Sequence, residues 1–580
     1  AIASAREALR DGSLVGIFPE GELTRTGELQ TFRKGFEKIA KGARCPIIPI
    51  HLDNLWGSIF SFRDGAPGFR WPKRLPLRVT VRIGKPLPAD TPSDEVRQAV
   101  AELGAETAAA RAAAPGNTLG RRLLIQARRR WRSPAVSDTL GQRLTYGRLL
   151  AGAVALNARL APALAGDRRV GILLPPSAAG ALANVALTLQ GRTVVNLNWT
   201  VPPEAFRSAV EQAGLRHILT SRRFLDAIRP PETAARLLFL EDLLADLTWR
   251  EKAAAWLRAR FAPPAALAAR EPVPSDIATV IFSSGSTGTP KGVCLSHANL
   301  LANTDALHAV LRFTRDDALC GTLPLFHSFG YLGTLWWPLL VGVPINCHAN
   351  PLQTARVLSL IRDRKLTILL TTPTLLQAYL RRAAPEDLAS IRHVFTGGEK
   401  LPAVLADEFE RRFGLRPLEG YGTTELSPVV AISLPARTAG DTPSVGNRPG
   451  SVGRPLPGIA LRIVDPATGA PLPAGAAGLL HVKGPSVMRG YLDDPGRTAA
   501  VLRDGWYDTG DIARVDEDGF LFITDRLARF SKIGGEMVPH GAVEEALRQT
   551  CDADEPCVAV VGVPSDGAGE ELLICYTPRA

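Results

Sequence analysis

Ile281-Phe-Ser-Ser-Gly-Ser-Thr-Gly-Thr-Pro-Lys-Gly-Val293 is a loop of serine, threonine and glycine that follows an apolar strand and ends in a lysine. Glycine lets the backbone approach an anion closely, and successive N–H groups and hydroxyls can surround phosphate oxygens. The stretch therefore predicts a polyphosphate-binding loop, although a simple Ser/Gly turn is the plainer alternative. Its spacing is not that of a Walker loop, because no Gly-Lys-Ser/Thr follows Gly288. The predicted nucleotide contacts in this loop are Ser283, Ser284, Gly285, Ser286, Thr287, Gly288 and Lys291.

Four motifs follow this loop in order: Tyr421-Gly-Thr-Thr-Glu425, Tyr507-Asp-Thr-Gly-Asp511, Thr524-Asp-Arg526 and Lys532-Ile-Gly-Gly535. One such motif alone would be a weak signal. Together, in this order and at these separations, they resemble the motifs of adenylate-forming ligases. The resemblance covers about residues 136 to 580 and implies a large α/β domain, a small α+β domain, and chemistry that uses ATP and Mg²⁺.

Activation of a carboxylic acid by ATP needs a phosphate cradle, a Mg²⁺ site, a grip on the ribose and a pocket for the acid. A glutamate such as Glu425 can hold Mg²⁺, and the ring of Tyr421 can stack on a base. A carboxylate such as Asp511 can accept both ribose hydroxyls. The resemblance implies that Thr424 contacts the α-phosphate, that Glu425 holds the metal, and that Asp511 and Arg526 bind the ribose or phosphates. The remaining expected nucleotide contacts are Gly398, Glu399, Gly422 and Thr423.

The pocket for the acid is predicted around Pro324-Leu-Phe-His-Ser-Phe-Gly330, which resembles the start of the family's substrate-side helix. His327 is the candidate substrate contact, although a lone histidine is more often a core residue. Gly397-Gly-Glu-Lys400 resembles the segment that flanks the bound acyl-adenylate. The apolar run after His327 favours a fatty acid over an amino acid.

The catalytic residues expected in the ligase part are Thr287, Lys291, Glu425 and Lys532. Two departures from the family pattern stand out. Ala528 occupies the hinge position where the family usually has Asp or Lys, and no Gly-Lys follows Gly535, so the adenylation lysine is expected beyond Ala580. We expect a chain truncated at both ends, which binds nucleotide better than it turns over acid.

A second motif, Phe18-Pro-Glu-Gly-Glu-Leu-Thr-Arg25, precedes Phe32-Arg-Lys-Gly35 and resembles a sequence block of glycerolipid acyltransferases. The resemblance implies that Glu20 and Arg25 belong to the catalytic site and that Gly21 and Arg33 bind substrate. Arginine suits phosphate because it makes charge-assisted hydrogen bonds. The His/Asp pair that deprotonates the acceptor hydroxyl in that family is expected upstream of Ala1.

The chain carries a net charge of +11 and has a pI near 9.5, which favours anionic partners. No nucleic-acid motif accompanies this charge, so we expect no nucleic-acid partner. The arginine-rich segment 121–132 could lie on an anionic membrane surface, or be a solvated basic helix beside a linker. Seven cysteines without a CxxC pair indicate a reducing compartment, and we expect the protein at the cytoplasmic face of a bacterial inner membrane.

Alternating strand and helix patterns predict the α/β class. We expect a partial glycerolipid acyltransferase domain, a linker with the basic segment, the large domain of an adenylate-forming ligase, and a truncated small α+β domain; the ranges are 1–105, 106–135, 136–526 and 527–580. Within the first range, the patterns predict strands at 14–18, 46–50 and 77–83 and a helix at 36–41. The uncharged run 318–355 is interrupted by prolines, so it predicts a buried helix and strand and not a membrane span.

The combination of a ligase and an acyltransferase resembles a family of fused enzymes. It implies ATP-dependent activation of a fatty acid to acyl-AMP, transfer to acyl-carrier protein, and reacylation of a lysophospholipid, 2-acylglycerophosphoethanolamine. Two alternatives stay open: a long-chain fatty acid CoA ligase with an appended acyltransferase, and a non-catalytic protein that binds nucleotide or lipid.

Overall fold

The computed structural model describes residues 2–58, 61–64, 78–268, 270–283, 290–435, 437–439, 442–444, 446–533, 536–550, 558–565 and 569–576. The N-terminal region packs helices against a two-stranded antiparallel sheet. Its elements are α1 (Ile2–Arg10), α2 (Gly35–Ala43), β1 (Ile50–Asp53), β2 (Thr80–Ile83) and α3 (Ser93–Ala112).

The helix predicted at 36–41 is confirmed by α2, but the strand predicted at 14–18 is wrong. This apolar segment is irregular, and the side chains of Leu14 and Phe18 are 101% and 80% exposed. An apolar run becomes a strand only when a neighbouring backbone pairs with it, and no described residue pairs with this segment. The strand predicted at 46–50 is displaced toward the C-terminus, because only Ile50 of that range belongs to β1.

The first half of the large domain alternates helices with parallel strands. Its elements are α4 (Leu119–Arg129), β3 (Pro134–Asp138), β4 (Arg143–Thr145), α5 (Tyr146–Leu160), β5 (Arg169–Ile172), α6 (Ala178–Leu189), β6 (Thr193–Asn196), α7 (Pro203–Gln212), β7 (His217–Thr220), α8 (Arg222–Ile228), β8 (Arg236–Phe239), α9 (Leu240–Ala245), α10 (Trp249–Phe261), β9 (Ile277–Ser283) and β10 (Lys291–Ser296).

The second half continues the alternation. Its elements are α11 (His297–Val310), β11 (Leu319–Gly321), α12 (Ser328–Tyr331), a π-helical turn (Leu332–Trp336), α13 (Trp337–Val341), β12 (Ile345–Cys347), α14 (Thr354–Arg364), β13 (Ile368–Thr371), α15 (Pro373–Arg382), α16 (Pro385–Leu388), β14 (His393–Thr396), α17 (Ala403–Phe413), β15 (Leu418–Gly422) and β16 (Val429–Ile432).

The rest of the chain is mainly antiparallel. Its elements are β17 (Arg437–Ala439), β18 (Thr442–Ser444), β19 (Arg454–Pro455), β20 (Ala460–Val464), β21 (Gly478–Lys483), β22 (Gly490–Tyr491), α18 (Pro495–Val501), β23 (Leu502–Arg503), β24 (Trp506–Val515), β25 (Leu521–Arg526), β26 (Phe530–Ile533), β27 (Glu536–Pro539), α19 (His540–Thr550), β28 (Val558–Ser565) and β29 (Gly569–Tyr576).

Two large sheets organise the described part of the large domain. One has the order β22-β10-β9-β6-β5-β7-β8 and the other the order β19-β16-β15-β14-β13-β11-β12-β3-β4. The inner strands are parallel, and antiparallel strands lie at the edges. One continuous buried core contains residues of both sheets, such as Val170 and Ile368. The predicted α/β class is therefore confirmed.

Two further sheets have five and four strands. The order β20-β21-β24-β23, with β25 paired to β24, forms a third sheet, and β27-β26-β29-β28 forms a fourth beside α19. The run 318–355 folds into buried helix and strand, as predicted. Among the described residues, no helix combines the length and the apolar character needed to cross a membrane.

Helix α4 contains most of the basic segment 121–132. Its residues Leu123 and Leu124 are buried in the main core. These two leucines therefore pack against protein and cannot enter a membrane, whereas Ile125 is 42% exposed. Contact of the segment with a bilayer through its other residues stays a prediction.

The N-terminal region contacts the large domain directly. Helix α3 continues across residue 105, where we expected a domain boundary. The Thr31 hydroxyl donates to Asp518 Oδ1 at 2.7 Å, and Trp56 Nε1 donates to the Ala309 carbonyl at 2.8 Å.

Candidate active site

The predicted phosphate loop connects two antiparallel strands. Ser283 at the end of β9 lies opposite Lys291 at the start of β10, so the two strands hold the ends of the loop together. Lys291 Nζ lies 5.7 Å from the centre of the Tyr491 ring, within the range of a cation–π interaction. The predicted contacts Ser284, Gly285, Ser286, Thr287 and Gly288 lie outside the described residues.

The motif Tyr421-Gly-Thr-Thr-Glu425 begins in β15 and continues into a turn. Gly422 has no room for a side chain, because a Cβ atom there would lie 1.8 Å from the carbonyl oxygen of Pro428. The Thr424 hydroxyl lies 3.1 Å from the Ser328 hydroxyl at the start of α12. Thr423 Oγ1 is buried and has no hydrogen-bond partner among the described residues. An unpaired buried hydroxyl beside this turn fits a site that receives a polar ligand.

Glu425 is joined to the lysine of the phosphate loop through Tyr491. The Tyr491 hydroxyl donates to Glu425 Oε1 at 2.9 Å, and the ring of the same tyrosine faces Lys291. Strand β22 places Tyr491 there by pairing with β10. Burial is the largest cause that raises the pKa of Tyr491, and the Glu425 carboxylate raises it further, so the hydroxyl stays a donor.

Among the described residues, no three His, Cys, Asp or Glu side chains come together as metal ligands. Mg²⁺ is commonly held by one or two carboxylates and completed by substrate phosphates and water. The Glu425 carboxylate and the Thr424 hydroxyl are hard oxygen donors of the type that Mg²⁺ takes.

Asp511 is a buried carboxylate with two partners. Its Oδ2 accepts from the Tyr421 hydroxyl at 2.5 Å, and its Oδ1 lies 3.3 Å from Arg526 Nε. Asp511 and Arg526 are directly opposite in the pairing of β24 with β25. Burial raises the pKa of Asp511, and its bonds to Tyr421 and Arg526 oppose that rise. The structure therefore brings together three predicted nucleotide residues from three strands.

The predicted adenine-flanking segment runs from Gly397 to Lys400, between β14 and α17. Gly398 has a φ of +85°, which a glycine adopts without strain. Glu399 Oε2 accepts from the backbone N–H and the hydroxyl of Thr374, at 3.2 and 2.6 Å, at the first turn of α15. A nucleotide contact by Gly398 or Glu399 stays a prediction.

Glu419 is a site residue that the sequence analysis missed. It lies on β15, two residues before Tyr421, and its Oε1 accepts from the Leu401 N–H at 3.0 Å. The bond ties the end of the adenine-flanking segment to the strand of the motif. Burial raises the pKa of Glu419 to about 7. The one sequence signal is its position directly before Gly420-Tyr421. A glutamate at the end of a strand is usually a solvated surface charge, so this signal is weak.

The acid pocket prediction falls on the segment before and within α12. His327 is the residue before this helix and is exposed, with its ring centre 4.6 Å from that of Phe326. Phe329, the residue after Ser328, lines an apolar cavity of about 40 Å³. Its lining comes from α11, the α12–α13 segment, the sheet and the turn after Glu425: Leu307, Leu311, Phe329, Leu332, Gly333, Trp337, Leu370, Phe395, Pro428, Val429 and Ile432.

The acyltransferase motif forms a compact turn. Gly21 has a φ of +72°, and a Cβ atom there would lie 2.7 Å from Arg33 Nε, so these two predicted substrate residues are adjacent. Glu20 Oε2 accepts from the Gln30 N–H at 2.8 Å, and burial raises the pKa of Glu20. The Arg25 guanidinium lies 5.5 Å from the centre of the Phe62 ring.

Lys532 lies in β26, where its backbone pairs with Met537 in β27. Its side chain is outside the described part of the chain, so a catalytic role stays a prediction. The sequence analysis also missed Tyr491 and Ser328. Tyr491 lies outside the quoted motifs, and Ser328 lies within the segment 324–330, where only His327 was singled out.

The fold and this site define a class of protein: an α/β nucleotide-binding enzyme of the adenylate-forming type. A family model described as AMP-binding enzyme matches residues 123–492, and the chain belongs to this family. A second model, described as acyltransferase, matches residues 1–53. The large domain of an adenylate-forming ligase and the acyltransferase fragment before it are thereby confirmed.

Relatives extend this comparison. A long-chain-fatty-acid–CoA ligase of Bacillus subtilis is 35% identical over 303 residues, which are 51% of this chain and 52% of that protein. The 4-coumarate–CoA ligase 1 of Arabidopsis thaliana is 30% identical and covers 69% of this chain and 72% of its own length. The chain spans about half the length of the first curated relatives it matches.

Solved structures agree with the fold. The crystal structure of ATP-bound MatB from Rhodopseudomonas palustris has a TM-score of 0.65 and 26% identity, and covers 79% of this chain and 88% of that protein.

Proposed function

We propose that this chain activates a fatty acid with ATP and Mg²⁺ to give an acyl-adenylate, and transfers the acyl group to the phosphopantetheine thiol of acyl-carrier protein. In the first step a carboxylate oxygen bonds to the α-phosphorus, and pyrophosphate leaves. In the second step the thiol sulfur bonds to the acyl carbon, AMP leaves, and the thiol proton passes to solvent.

One observation carries the ligase proposal. The Thr424 hydroxyl contacts Ser328, and the next residue after Ser328, Phe329, lines the apolar cavity. A polar anion site next to an apolar interior suits a molecule with a carboxylate head and a hydrocarbon tail. The name of the Bacillus subtilis relative, a long-chain-fatty-acid–CoA ligase, supports the same substrate class.

The side chains then have distinct tasks. Lys291 neutralises charge on the phosphates, and Thr424 donates a hydrogen bond to the α-phosphate. Glu425 would hold Mg²⁺, and the hydrogen bond that it accepts from Tyr491 orients its carboxylate. Asp511 accepts the ribose hydroxyls, and its bond from Tyr421 keeps it oriented although it is buried.

The acceptor of the acyl group is a second question. A chain with a net charge of +11 suits an acidic carrier protein, because opposite charges speed and orient encounter. The names of the relatives favour CoA instead, so a long-chain fatty acid CoA ligase with an appended acyltransferase is the second candidate.

We further propose that the N-terminal region belongs to an acyltransferase that reacylates a lysophospholipid, 2-acylglycerophosphoethanolamine, at the cytoplasmic face of the bacterial inner membrane. The match of residues 1–53 to the acyltransferase model supports the reaction class. The adjacency of Gly21 and Arg33 supports a phosphate-binding role for that turn.

The natural full-length protein is incubated with radiolabelled palmitate, Mg-ATP and either holo-acyl-carrier protein or CoA to test the ligase proposal. We expect palmitate-dependent release of pyrophosphate and label on the carrier protein. Label on CoA alone would favour the second candidate, and label on neither would favour a non-catalytic binding protein. The variant Asp511→Asn should lose ATP affinity, whereas Asp363→Asn, on the exposed side of α14, should not.

A further inference from the structure

Helix α10 has an unusual distribution of side chains. Its outward face carries Trp249, Trp256, Leu257 and Phe261, and the first and last of these are 74% and 68% exposed. Its inward face carries the small residues Ala255 and Ala259, which are buried. The large apolar groups therefore face solvent while alanines face the protein, the reverse of a normal surface helix.

The charges of α10 are mainly positive. Arg250, Lys252, Arg258 and Arg260 are the cations of the helix, and Glu251 is its only acid. The Glu251 carboxylate lies at the start of the helix. It accepts hydrogen bonds from the N–H and the hydroxyl of Thr248, both at 2.8 Å, and forms an ion pair with Arg159. The outward face is thus both aromatic and positively charged.

The C-terminal end of α4 extends this face. The rings of Trp131 and Trp256 meet edge to face with centres 5.6 Å apart, and Arg260 lies 5.5 Å from the centre of the Trp131 ring. Arg128 Nε donates to the Ala259 carbonyl at 3.0 Å. These contacts fix the two helix ends to each other, so their side chains form one surface.

We infer that this aromatic-basic surface, formed by Trp131, Trp249, Trp256, Leu257, Phe261 and the surrounding arginines, binds an anionic lipid bilayer. Tryptophan and phenylalanine are stable at the boundary between headgroups and acyl chains, and each nearby Lys or Arg is attracted by anionic lipid. The helix lies along the bilayer and does not enter it. The inference rests on the proposed membrane location and is independent of the ligase chemistry.

An acidic protein is the main rival occupant, since arginine and tryptophan are also common in protein interfaces. Charge alone would attract both partners. The bilayer is favoured because the exposed apolar side chains of Trp249, Leu257 and Phe261 follow one helix face, which can enter a fluid interface without a complementary groove.

Co-sedimentation with vesicles tests the inference. The whole chain is mixed with vesicles of phosphatidylcholine, or of phosphatidylcholine with about one third phosphatidylglycerol. We expect binding to the anionic vesicles that weakens with salt. The double variant Trp249→Ser, Phe261→Ser should lose at least about tenfold in affinity, which equals roughly 1.4 kcal/mol. The matched control Leu352→Ser, at a site 71% exposed in the turn before α14, should bind like the parent chain.

The ATP affinity of each variant shows whether a loss of vesicle binding comes from a folding defect. It also tests the nucleotide site independently of the membrane surface. It should be equal in all variants, because the substituted residues lie outside the nucleotide site. Equal vesicle binding by the double variant and the parent chain would overturn the inference, and so would the absence of binding to anionic vesicles. Loss of carrier-protein binding in the double variant, with vesicle binding unchanged, would assign the surface to a protein partner instead.

Discussion

Replacement of Glu419 by glutamine should stabilise the protein above neutral pH and have little effect in acid. The side chain is largely buried on β15, and its Oε1 accepts from the Leu401 N–H at 3.0 Å. Glutamine keeps the shape and can accept the same bond, but it cannot ionise. The substitution therefore isolates the free energy of holding a charge at this position.

The size of the effect follows from the pKa. Burial raises the pKa of Glu419 from 4.5 to about 7, so the folded state favours the protonated form. The stability that protonation contributes is fully present below pH 4.5 and is lost as the pH rises through 7. Each pKa unit between the folded and the unfolded state changes the free energy of unfolding by about 1.4 kcal/mol. The free energy of unfolding of Glu419→Gln relative to the parent should rise by roughly 2 to 3 kcal/mol between pH 5 and pH 8.

Urea unfolding at pH 5, 6, 7 and 8 measures this difference for the transition of the large domain. Glu408→Gln, on the exposed side of α17, is the matched control and should show the same small offset at every pH. An offset for Glu419→Gln that does not change between pH 5 and pH 8 would refute the reasoning. It would mean that the carboxylate is solvated, or is neutralised by another group, in the folded protein.

Three further substitutions have expected outcomes. Tyr421→Phe removes the 2.5 Å hydrogen bond to Asp511. Because a hydrogen bond to a charged group is worth about 1.5–3 kcal/mol, the KM for ATP should rise by about 10- to 100-fold in steady-state kinetics, with an unchanged circular dichroism spectrum. Gly422→Ala should lower the Tm and abolish nucleotide binding, because its methyl would lie 1.8 Å from a backbone oxygen, whereas Gly420→Ala has 3.4 Å and should be tolerated; thermal unfolding with ATP titration compares the two. Arg97→Met removes two bonds to backbone carbonyls of the N-terminal region and should make that region sensitive to limited proteolysis, with parent-like protection counting against the idea.

The sequence analysis could propose the nucleotide residues because they lie in contiguous motifs, and the structure brings Tyr421, Asp511 and Arg526 together. A motif such as Tyr421-Gly-Thr-Thr-Glu425 identifies its members by their order along the chain. It does not say which members meet, and the contact of Tyr421 with Asp511 joins residues 90 positions apart. Such contacts depend on the order of strands in the sheets.

The contacts of Tyr491 and Ser328 were missed for the same reason. Tyr491 reaches Glu425 only because β22 pairs with β10 at the edge of a sheet, a partner almost 200 residues away in the chain. Ser328 meets Thr424 only because α12 begins beside the turn after β15. A local pattern carries no information about pairings of this kind.

The errors in the N-terminal region have a different origin. The apolar segment at 14–18 has the composition of a strand, but strand formation also requires a neighbour that supplies hydrogen bonds. The leucines of α4 looked suitable for a membrane because composition does not show which side of a helix faces the protein. Burial of Leu123 in the core settled that point.

Helix α3 couples the stability of the N-terminal region to that of the large domain. Ala105, in its middle, packs against Ala460 and Trp506 of the third sheet, while its first turns pack against Phe32 and Phe36 of the acyltransferase region. The two parts thus share one piece of secondary structure and are not modules joined by a tether. A mutation that destabilises the packing of α3 against Phe32 and Phe36 should therefore also lower the stability of the large domain.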